Sequence, residues 1–164
     1  MNIFYKKMSI VVTTLFVSLV FLLYSKMALL LSMISTVFTF ALLDSIWIYS
    51  NRNMYKNLSL DVSGHKTMTN PYGLFGALLS YLLMVLVIMF VGRPLVLCSS
   101  MSIFKASMLY GGLIGLYGYG IFNGTNLVLF KNYDPKVAII DTLWGTFLMA
   151  LTTYIATKVY TYYQ

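Results

Sequence analysis

The chain is short of most residue types that carry catalytic or metal chemistry. Its 164 residues include no glutamate, one cysteine (Cys98), one histidine (His65) and three prolines. A single cysteine excludes an intrachain disulfide and a multi-cysteine metal site, and a lone histidine offers no second ligand. Charged residues make up 9% of the chain, whereas soluble proteins have about 25%. The composition therefore argues against a soluble enzyme and predicts neither a metal nor a cofactor.

Apolar residues take the place of the missing charges and make up 60% of the chain. A membrane-crossing helix needs about 20 mostly apolar residues. Four runs meet that requirement, and a fifth near the N-terminus is about long enough: 27–49, 72–91, 104–123, 137–157 and 8–24. The sequence therefore predicts an all-α, polytopic membrane helix bundle with five transmembrane helices, or four if the first segment does not cross.

Two units are expected along the chain: an extra N-terminal transmembrane or interfacial segment over 1–26, and a four-helix membrane domain over 27–164. Lys6 and Lys7 ahead of an apolar run resemble the start of a signal peptide, but no small-residue cleavage site follows. An uncleaved first segment is the better interpretation. The link between the first two runs is so short that either a tight hairpin forms near Lys26 or the first segment lies along the interface.

Three polar breaks are expected between the runs. Residues 51–71 are predicted to form a polar loop, Gly92, Arg93 and Pro94 a turn, and residues 131–135 a second turn that places Pro135 at the start of the last helix. The loop contains the only histidine.

The basic residues predict an orientation. The net charge of +7 is the excess of eleven Lys and Arg residues over four aspartates. The basic residues are scattered, so a nucleic-acid partner is not expected. With five spans, seven of the eleven lie on one side of the membrane and four on the other, and the richer side should be cytoplasmic. The N-terminus is therefore predicted inside and the C-terminus on the opposite side. With four spans the division is five against six, which decides nothing.

Two of the four aspartates lie within predicted spans, where an ionisable side chain is costly and marks a candidate functional site. Asp44 and Asp141 each precede a tryptophan by three residues, Trp47 and Trp144, and residues three apart share a helix face. Counted from the helix ends, both carboxylates lie roughly 6–8 Å below the same membrane surface. The sequence predicts a polar layer at this depth.

The end of the third strong run reaches the same level and adds four polar residues to the predicted layer: Tyr119, Asn123, Thr125 and Asn126. Because a helix C-terminus disfavours negative charge, Asp44 needs a cationic or hydrogen-bonding partner or stays protonated. By depth, the expected partners are Asn123, Asn126 and Lys131. Three interpretations stay open: a structural cluster that fixes helix register, a binding or transport site, and passive placement at the interface.

A glycine-rich stretch between residues 111 and 120 lacks the residues of a phosphate-binding loop. Gly111, Gly115 and Gly118 fall on one helix face. In a membrane such a face lets two helix backbones approach closely. The stretch is therefore predicted to be a helix-packing surface.

The chain from about residue 27 onward resembles a family of small membrane proteins called domain of unknown function 2177, with bacterial and large-DNA-virus members. Three motifs carry the resemblance: Leu-Asp-x-x-Trp at Asp44, Tyr-Gly-x-Tyr-Asp-x-Thr-Asn from Tyr119, and Asp-x-x-Trp-Gly at Asp141. Phe122 replaces the expected Tyr, and Asn123 replaces the expected Asp. A mechanism needing a carboxylate at position 123 would fail here, whereas a hydrogen-bonded scaffold would survive. The resemblance implies a fold and a polar cluster but no reaction.

These observations predict a non-enzymatic, structural or assembly component of a membrane, and of an internal virion membrane if the source is a virus. The expected partners are the lipid bilayer, a second copy of the chain, or membrane and capsid proteins. The alternative is a small-solute or proton-coupled transporter or binding protein that uses Asp44 and Asp141. An intramembrane hydrolase is disfavoured, because its two carboxylates would have to share a proton or a water molecule.

Overall fold

A computed structural model describes the protein over residues 27–64 and 71–164. Within these ranges every regular element is a helix, which confirms the predicted all-α membrane bundle. The predicted N-terminal segment over 1–26 and His65 lie outside the described residues.

Five helices make up the described fold. Three are long and apolar enough to cross a membrane: α1 (Met27–Ser50), α3 (Gly73–Leu97) and α5 (Pro135–Tyr163). A short helix, α2 (Arg52–Ser63), directly follows α1. The fourth long helix, α4, covers 103–129 and contains the glycine-rich stretch. Asp134 caps α5, because its carboxylate accepts a hydrogen bond from the backbone N–H of Lys136 at 2.8 Å.

The long helices alternate in direction around α5. At one end of the bundle, the Ser32 hydroxyl of α1 donates to the carbonyl oxygen of Ala156 in α5 at 2.7 Å. At the other end, Trp144 of α5 donates to Asp44 of α1. Residue numbers thus rise along α1 as they fall along α5, so the two helices are antiparallel. Helix α5 packs against α1 on one side and against α4 on another.

The centre of the bundle is apolar and closely packed. Five large side chains are at most 1% exposed: Phe40, Ile88, Met89, Leu148 and Met149. Large apolar residues also cover the outside of every long helix, where they are exposed, for example Phe38, Leu74, Ile121 and Ile139. This is the arrangement expected in a bilayer, in which van der Waals packing rather than release of water holds helices together.

Glycines bring α4 and α5 into close contact. A Cβ atom on Gly111 would lie 2.8 Å from the carbonyl oxygen of Met149, and one on Gly115 would lie 2.5 Å from that of Gly145. Both glycines therefore allow an approach that any other residue would prevent. Gly118 lies differently, since a Cβ there would meet only the Met84 side chain at 3.6 Å, an ordinary contact.

The predicted polar loop over 51–71 is wrong for its first two thirds, where α2 forms. Its half-buried apolar and aromatic residues, Met54, Tyr55, Leu58 and Val62, recur at helical spacing, and Tyr55 bonds to Asp141 in the bundle. Gly64 then ends α2 in a left-handed conformation (φ 74°), with its N–H bonded to the carbonyl oxygen of Leu60. The polarity of the other face concealed the helix.

The predicted turn at Gly92–Pro94 is also wrong, because α3 continues through it to Leu97. Residues 88–92 form a π-helical turn in which the N–H of Arg93 bonds to the carbonyl oxygen of Ile88. This wider turn ends two residues before Pro94, whose ring and missing N–H would strain an ordinary α-helix. As a result Arg93 is only 8% exposed, inside a helix rather than in a surface turn.

Candidate functional site

The first carboxylate of the predicted layer lies between three helices. Asp44 of α1 is 7% exposed. Its Oδ2 atom accepts a hydrogen bond from the Tyr81 hydroxyl of α3 at 2.5 Å, and its Oδ1 atom accepts one from Trp144 Nε1 of α5 at 3.2 Å. These partners differ from the three expected by depth. Asp44 therefore connects α1 to both of its neighbours.

The second carboxylate lies on α5 and connects this helix to α2 and α4. Asp141 of α5 accepts a hydrogen bond from the Tyr55 hydroxyl of α2 at 2.7 Å through Oδ1. Its Oδ2 atom accepts one from Asn123 Nδ2 of α4 at 2.9 Å. Among the residues that the structure describes, Asp44 and Asp141 have separate hydrogen-bond donors.

The two Asp-x-x-Trp motifs are linked crosswise. The rings of Trp47 and Trp144 are stacked, with centroids 4.5 Å apart and planes 5° from parallel. Trp144 donates directly to Asp44, whereas Trp47 Nε1 donates at 2.9 Å to the Tyr55 hydroxyl, which in turn donates to Asp141. Because α1 and α5 are antiparallel and both motifs have the same spacing, each tryptophan lies level with the aspartate of the other motif. We call these four residues, with Tyr55, Tyr81 and Asn123, the Asp–Trp network.

Asn123 is the contribution of α4 to this network. Its side chain is 2% exposed. Its Nδ2 atom lies 2.9 Å from Asp141 and 3.3 Å from Thr142 Oγ1, and its Oδ1 atom accepts a hydrogen bond from the Tyr133 hydroxyl at 2.7 Å. Both ends of the amide are therefore engaged. A carboxylate at position 123 could not donate to Asp141, so the amide suits this position.

The remaining predicted residues lie at the edge of the network. The ring of Tyr119 packs directly on Gly145, where a Cβ atom would collide with it. Asn126 is half-buried beside the hydroxyl of Tyr133, and Thr125 is exposed. The structure thus places Asp44, Trp47, Asn123, Asp141 and Trp144 together, with Tyr119 packed beneath them and Thr125 outside.

The sequence profile of a family described as "Predicted membrane protein (DUF2177)" matches residues 29–158. The chain belongs to this family. The match covers both Asp-x-x-Trp motifs and the α4 segment between them, and it confirms the resemblance stated from the sequence. No curated protein and no solved structure matches the chain.

In this DUF2177 protein both carboxylates are bonded by neutral groups. The four donors are two phenols, an indole and an amide, one for each carboxylate oxygen. In α2, burial and the neighbouring Asp141 raise the pKa of Tyr55 above its ordinary value. Burial likewise raises the pKa of Tyr133 in the loop before α5. Tyr55 therefore stays protonated at physiological pH and remains a donor.

Three tyrosines of the DUF2177 site were missed from the sequence: Tyr55, Tyr81 and Tyr133. For Tyr55 a signal existed, because the apolar residues of α2 recur at helical spacing. For Tyr81 and Tyr133 nothing distinguishes them among the fourteen tyrosines of the chain. Over residues 27–64 and 71–164, no three His, Cys, Asp or Glu side chains lie together as a metal-binding group.

Proposed function

We propose that this DUF2177 protein is a non-enzymatic structural or assembly component of a membrane, in which the Asp–Trp network holds the bundle in one register. The observation that carries the proposal is that all four carboxylate oxygens are occupied by donors of the chain itself. Over residues 27–64 and 71–164, the buried side-chain atoms without partners belong instead to four residues outside the network: Arg93, Ser107, Thr152 and Thr153. A site with no free position supports a structural role better than turnover of a substrate.

The attachment of α2 supports an assembly role. Tyr55 ties this helix to α1 and α5, and Asn132 Nδ2 in the loop before α5 donates to the carbonyl oxygen of Asp61 at 3.1 Å. Held at two points, α2 presents a fixed polar face that includes Arg52 and Lys56, both exposed. We propose that this face meets the partner, either a membrane or capsid protein or a second copy.

The orientation and the compartment belong to the same proposal. With five spans, seven Lys and Arg residues lie on the membrane side of α2 and four on the other side. This excess supports a cytoplasmic position for α2 and an external C-terminus. An internal virion membrane follows if the source is a virus. Asn57, Leu58 and Ser59 form a glycosylation acceptor on α2. Translation into microsomes should leave Asn57 unmodified, and a glycan there would reverse the proposed orientation.

A second candidate function is proton or cation transport, and one observation favours it. The carboxylates lie inside the predicted membrane region with neutral donors only, so either could take up a proton or a cation without displacing a Lys or Arg.

Reconstitution into sealed vesicles distinguishes the two functions. The structural proposal predicts that wild-type protein gives no more proton or potassium flux under an imposed potential than protein-free vesicles. It also predicts that Asp44→Asn and Asp141→Asn lower thermal stability. A wild-type flux that both substitutions abolish in folded protein would establish transport and overturn the structural proposal.

Partner contact is tested in the native membrane with a photo-crosslinking residue at Lys56 on α2, and with Phe38 on the lipid-facing side of α1 as control. Position 56 should give an adduct of defined mass that Tyr55→Phe weakens, because α2 is then less firmly held. Adducts of equal yield at positions 38 and 56 would contradict the assembly role. An adduct at position 56 whose yield does not change with Tyr55→Phe would contradict it as well.

A further inference from the structure

A second polar group lies at the opposite end of the bundle, and its hydrogen-bonding capacity is unused. Arg93 of α3 is 8% exposed. Its Nε and Nη1 atoms are buried and, among the residues that the structure describes, have no hydrogen-bond partner. A guanidinium group without partners inside a membrane protein is costly. Within the described residues, the hydrogen-bonding groups of Arg93 are therefore incomplete.

The neighbour of Arg93 accounts for only one of its faces. The guanidinium carbon lies 4.3 Å from the centre of the Tyr160 ring of α5. A cation–π contact of this kind uses the flat face of the guanidinium group. The N–H donors, which point outward in the guanidinium plane, remain available for an acceptor.

Two hydroxyl groups lie close to the level of the Arg93 backbone and, in the part of the chain that the structure describes, are also without partners. Ser107 of α4 and Thr153 of α5 are both fully buried. Serine and threonine in helices commonly bond to the carbonyl oxygen four residues earlier, as Thr157 does here, but these two do not. We call Arg93, Ser107 and Thr153 the Arg93 cluster.

The backbone brings the three residues of the cluster to one level. The Oγ1 atom of Thr153 lies 3.3 Å from an ideal Cβ position on Gly92 and 2.7 Å from one on Gly111. Arg93 directly follows Gly92, and Ser107 lies one helical turn before Gly111. Thr153 therefore sits between the part of α3 that carries Arg93 and the part of α4 that carries Ser107.

Both segments are π-helical at this level. One π-helical turn, Ile88–Gly92, ends just before Arg93, and the other, Ser107–Gly111, begins with Ser107. The two turns contact each other and α5. Such turns are rare and occur frequently at functional sites. Two π-helical turns lie close to three polar side chains that have no partner among the described residues. Their presence is a second indication of a binding site.

We propose that the Arg93 cluster binds a phosphate-type anion, either the headgroup phosphate of a membrane lipid or free phosphate. Arg93 offers donors only, the two hydroxyls can also donate, and guanidinium groups bind phosphate oxygens through charge-assisted hydrogen bonds. Arg93 lies four residues before the end of α3, about 6 Å from that helix end along the axis, so a lipid headgroup at this end of the bundle can reach it. The proposal is independent of the function proposed for the Asp–Trp network.

The test measures binding to the full-length protein, purified in detergent and stripped of lipid. One arm adds dioleoyl phosphatidylglycerol and the other adds inorganic phosphate. Native mass spectrometry counts bound lipid, and thermal unfolding reports stabilisation by either compound. Arg93→Met is the main variant, and Arg52→Met is its matched control. Arg52 also lies over a tyrosine ring, that of Tyr49 at 4.8 Å, but it is exposed.

We expect saturable binding in at least one arm, at about one equivalent. Arg93→Met should weaken it about tenfold or more, Ser107→Ala by a few-fold, and Arg52→Met not measurably. Stabilisation by the lipid alone would identify a headgroup, and stabilisation by both would identify the phosphate group itself.

Three results would overturn the proposal: no binding in either arm, binding that Arg93→Met leaves intact, or an equal loss with Arg52→Met. Should Arg93→Met fail to fold, Arg93→Lys and Ser107→Ala decide instead. Lysine keeps the charge but offers fewer donors in a fixed plane. Unchanged affinity in both of these variants would count against the site.

Discussion

The two ends of α5 carry polar side chains of similar type in opposite states. Near its start, Asp141, Thr142 and Trp144 all have hydrogen-bond partners. Toward its other end, the hydroxyls of Thr152 and Thr153 are buried without partners, close to the level of Arg93. Among the described residues, the same helix therefore contains one polar group whose hydrogen bonds are complete and one whose hydrogen bonds are not. The comparison supports the structural role proposed for the first end and the binding role proposed for the second.

Close packing of α4 on α5 lies between the two ends, so disrupting it should affect both and give the largest effect. Gly145→Ala would place a methyl group into the Tyr119 ring, and we expect a loss of about 3 kcal/mol or more. Unfolding of detergent-solubilised protein, followed by tryptophan fluorescence, measures it. Gly76→Ala is the control, because a Cβ there meets nothing within 4 Å. Similar stability of the two variants would show that α4 does not approach α5 as described.

Removing a carboxylate from the Asp–Trp network should have the next largest effect on stability. Asp44→Leu and Asp141→Leu each leave two donors unsatisfied, and we expect each to cost about 1–3 kcal/mol. Both tryptophans of the chain lie in the network, so their fluorescence also reports loss of the stack. Asp61→Leu, on the exposed side of α2, serves as control. Neutral effects at both positions 44 and 141 would mean that the carboxylates merely face water.

One conservative substitution, threonine to valine, should destabilise the protein at the first end of α5 but not at the second. Thr142→Val removes a hydroxyl that donates to the carbonyl oxygen of Ala138 at 2.7 Å, and we expect a loss of about 1 kcal/mol. Thr153→Val removes a buried hydroxyl that has no partner, so in phosphate-free, lipid-free detergent it should be neutral or stabilising. Thermal unfolding of the two variants, side by side, checks the comparison. A loss at Thr153 as large as that at Thr142 would remove the distinction between the ends.

The smallest expected effect is on the pH dependence of stability. Because the pKa of Tyr55 is raised on folding, folded protein keeps the phenol proton at a pH where the unfolded chain loses it. The stabilisation from Tyr55 is therefore complete below about pH 10 and is lost as the pH rises further. Thermal unfolding of wild type and Tyr55→Phe between about pH 8 and 11 measures this effect. After subtraction of the pH dependence that both proteins share, the variant should lose stability less steeply than wild type. Parallel curves would show that the phenol does not contribute in this way.

The common depth of Asp44 and Asp141 could be predicted from the sequence, because alternating spans fix the height of each residue along the bundle axis. Which side chains meet at that height depends on the rotation of each helix about its own axis, and apolar runs exposed to lipid on one side leave that rotation undefined. This is why Tyr81 and Trp144, rather than Asn123 or Lys131, bond to Asp44.

The errors at the two polar breaks have a related cause. Residues 52–63 were expected to be a loop because only one of their faces is apolar, and that face carries Tyr55 into the site. Gly92 and Pro94 were expected to end α3, but a π-helical turn accommodates the proline within the helix. In both places the residue types of the segment, taken together, suggested a break between helices. The contacts with α5 show that the chain is helical there.

The crosswise link between α1 and α5 also has a consequence for biosynthesis. Asp44 is made early and receives its bond from Trp144 only after the last helix has been synthesised and inserted. Until then Tyr81 of α3 can bond to Oδ2, but Oδ1 of this carboxylate lacks its donor. A nascent chain that stalls before α5 would thus display a half-paired acidic group in α1, a mark by which membrane quality control could distinguish unfinished from finished protein.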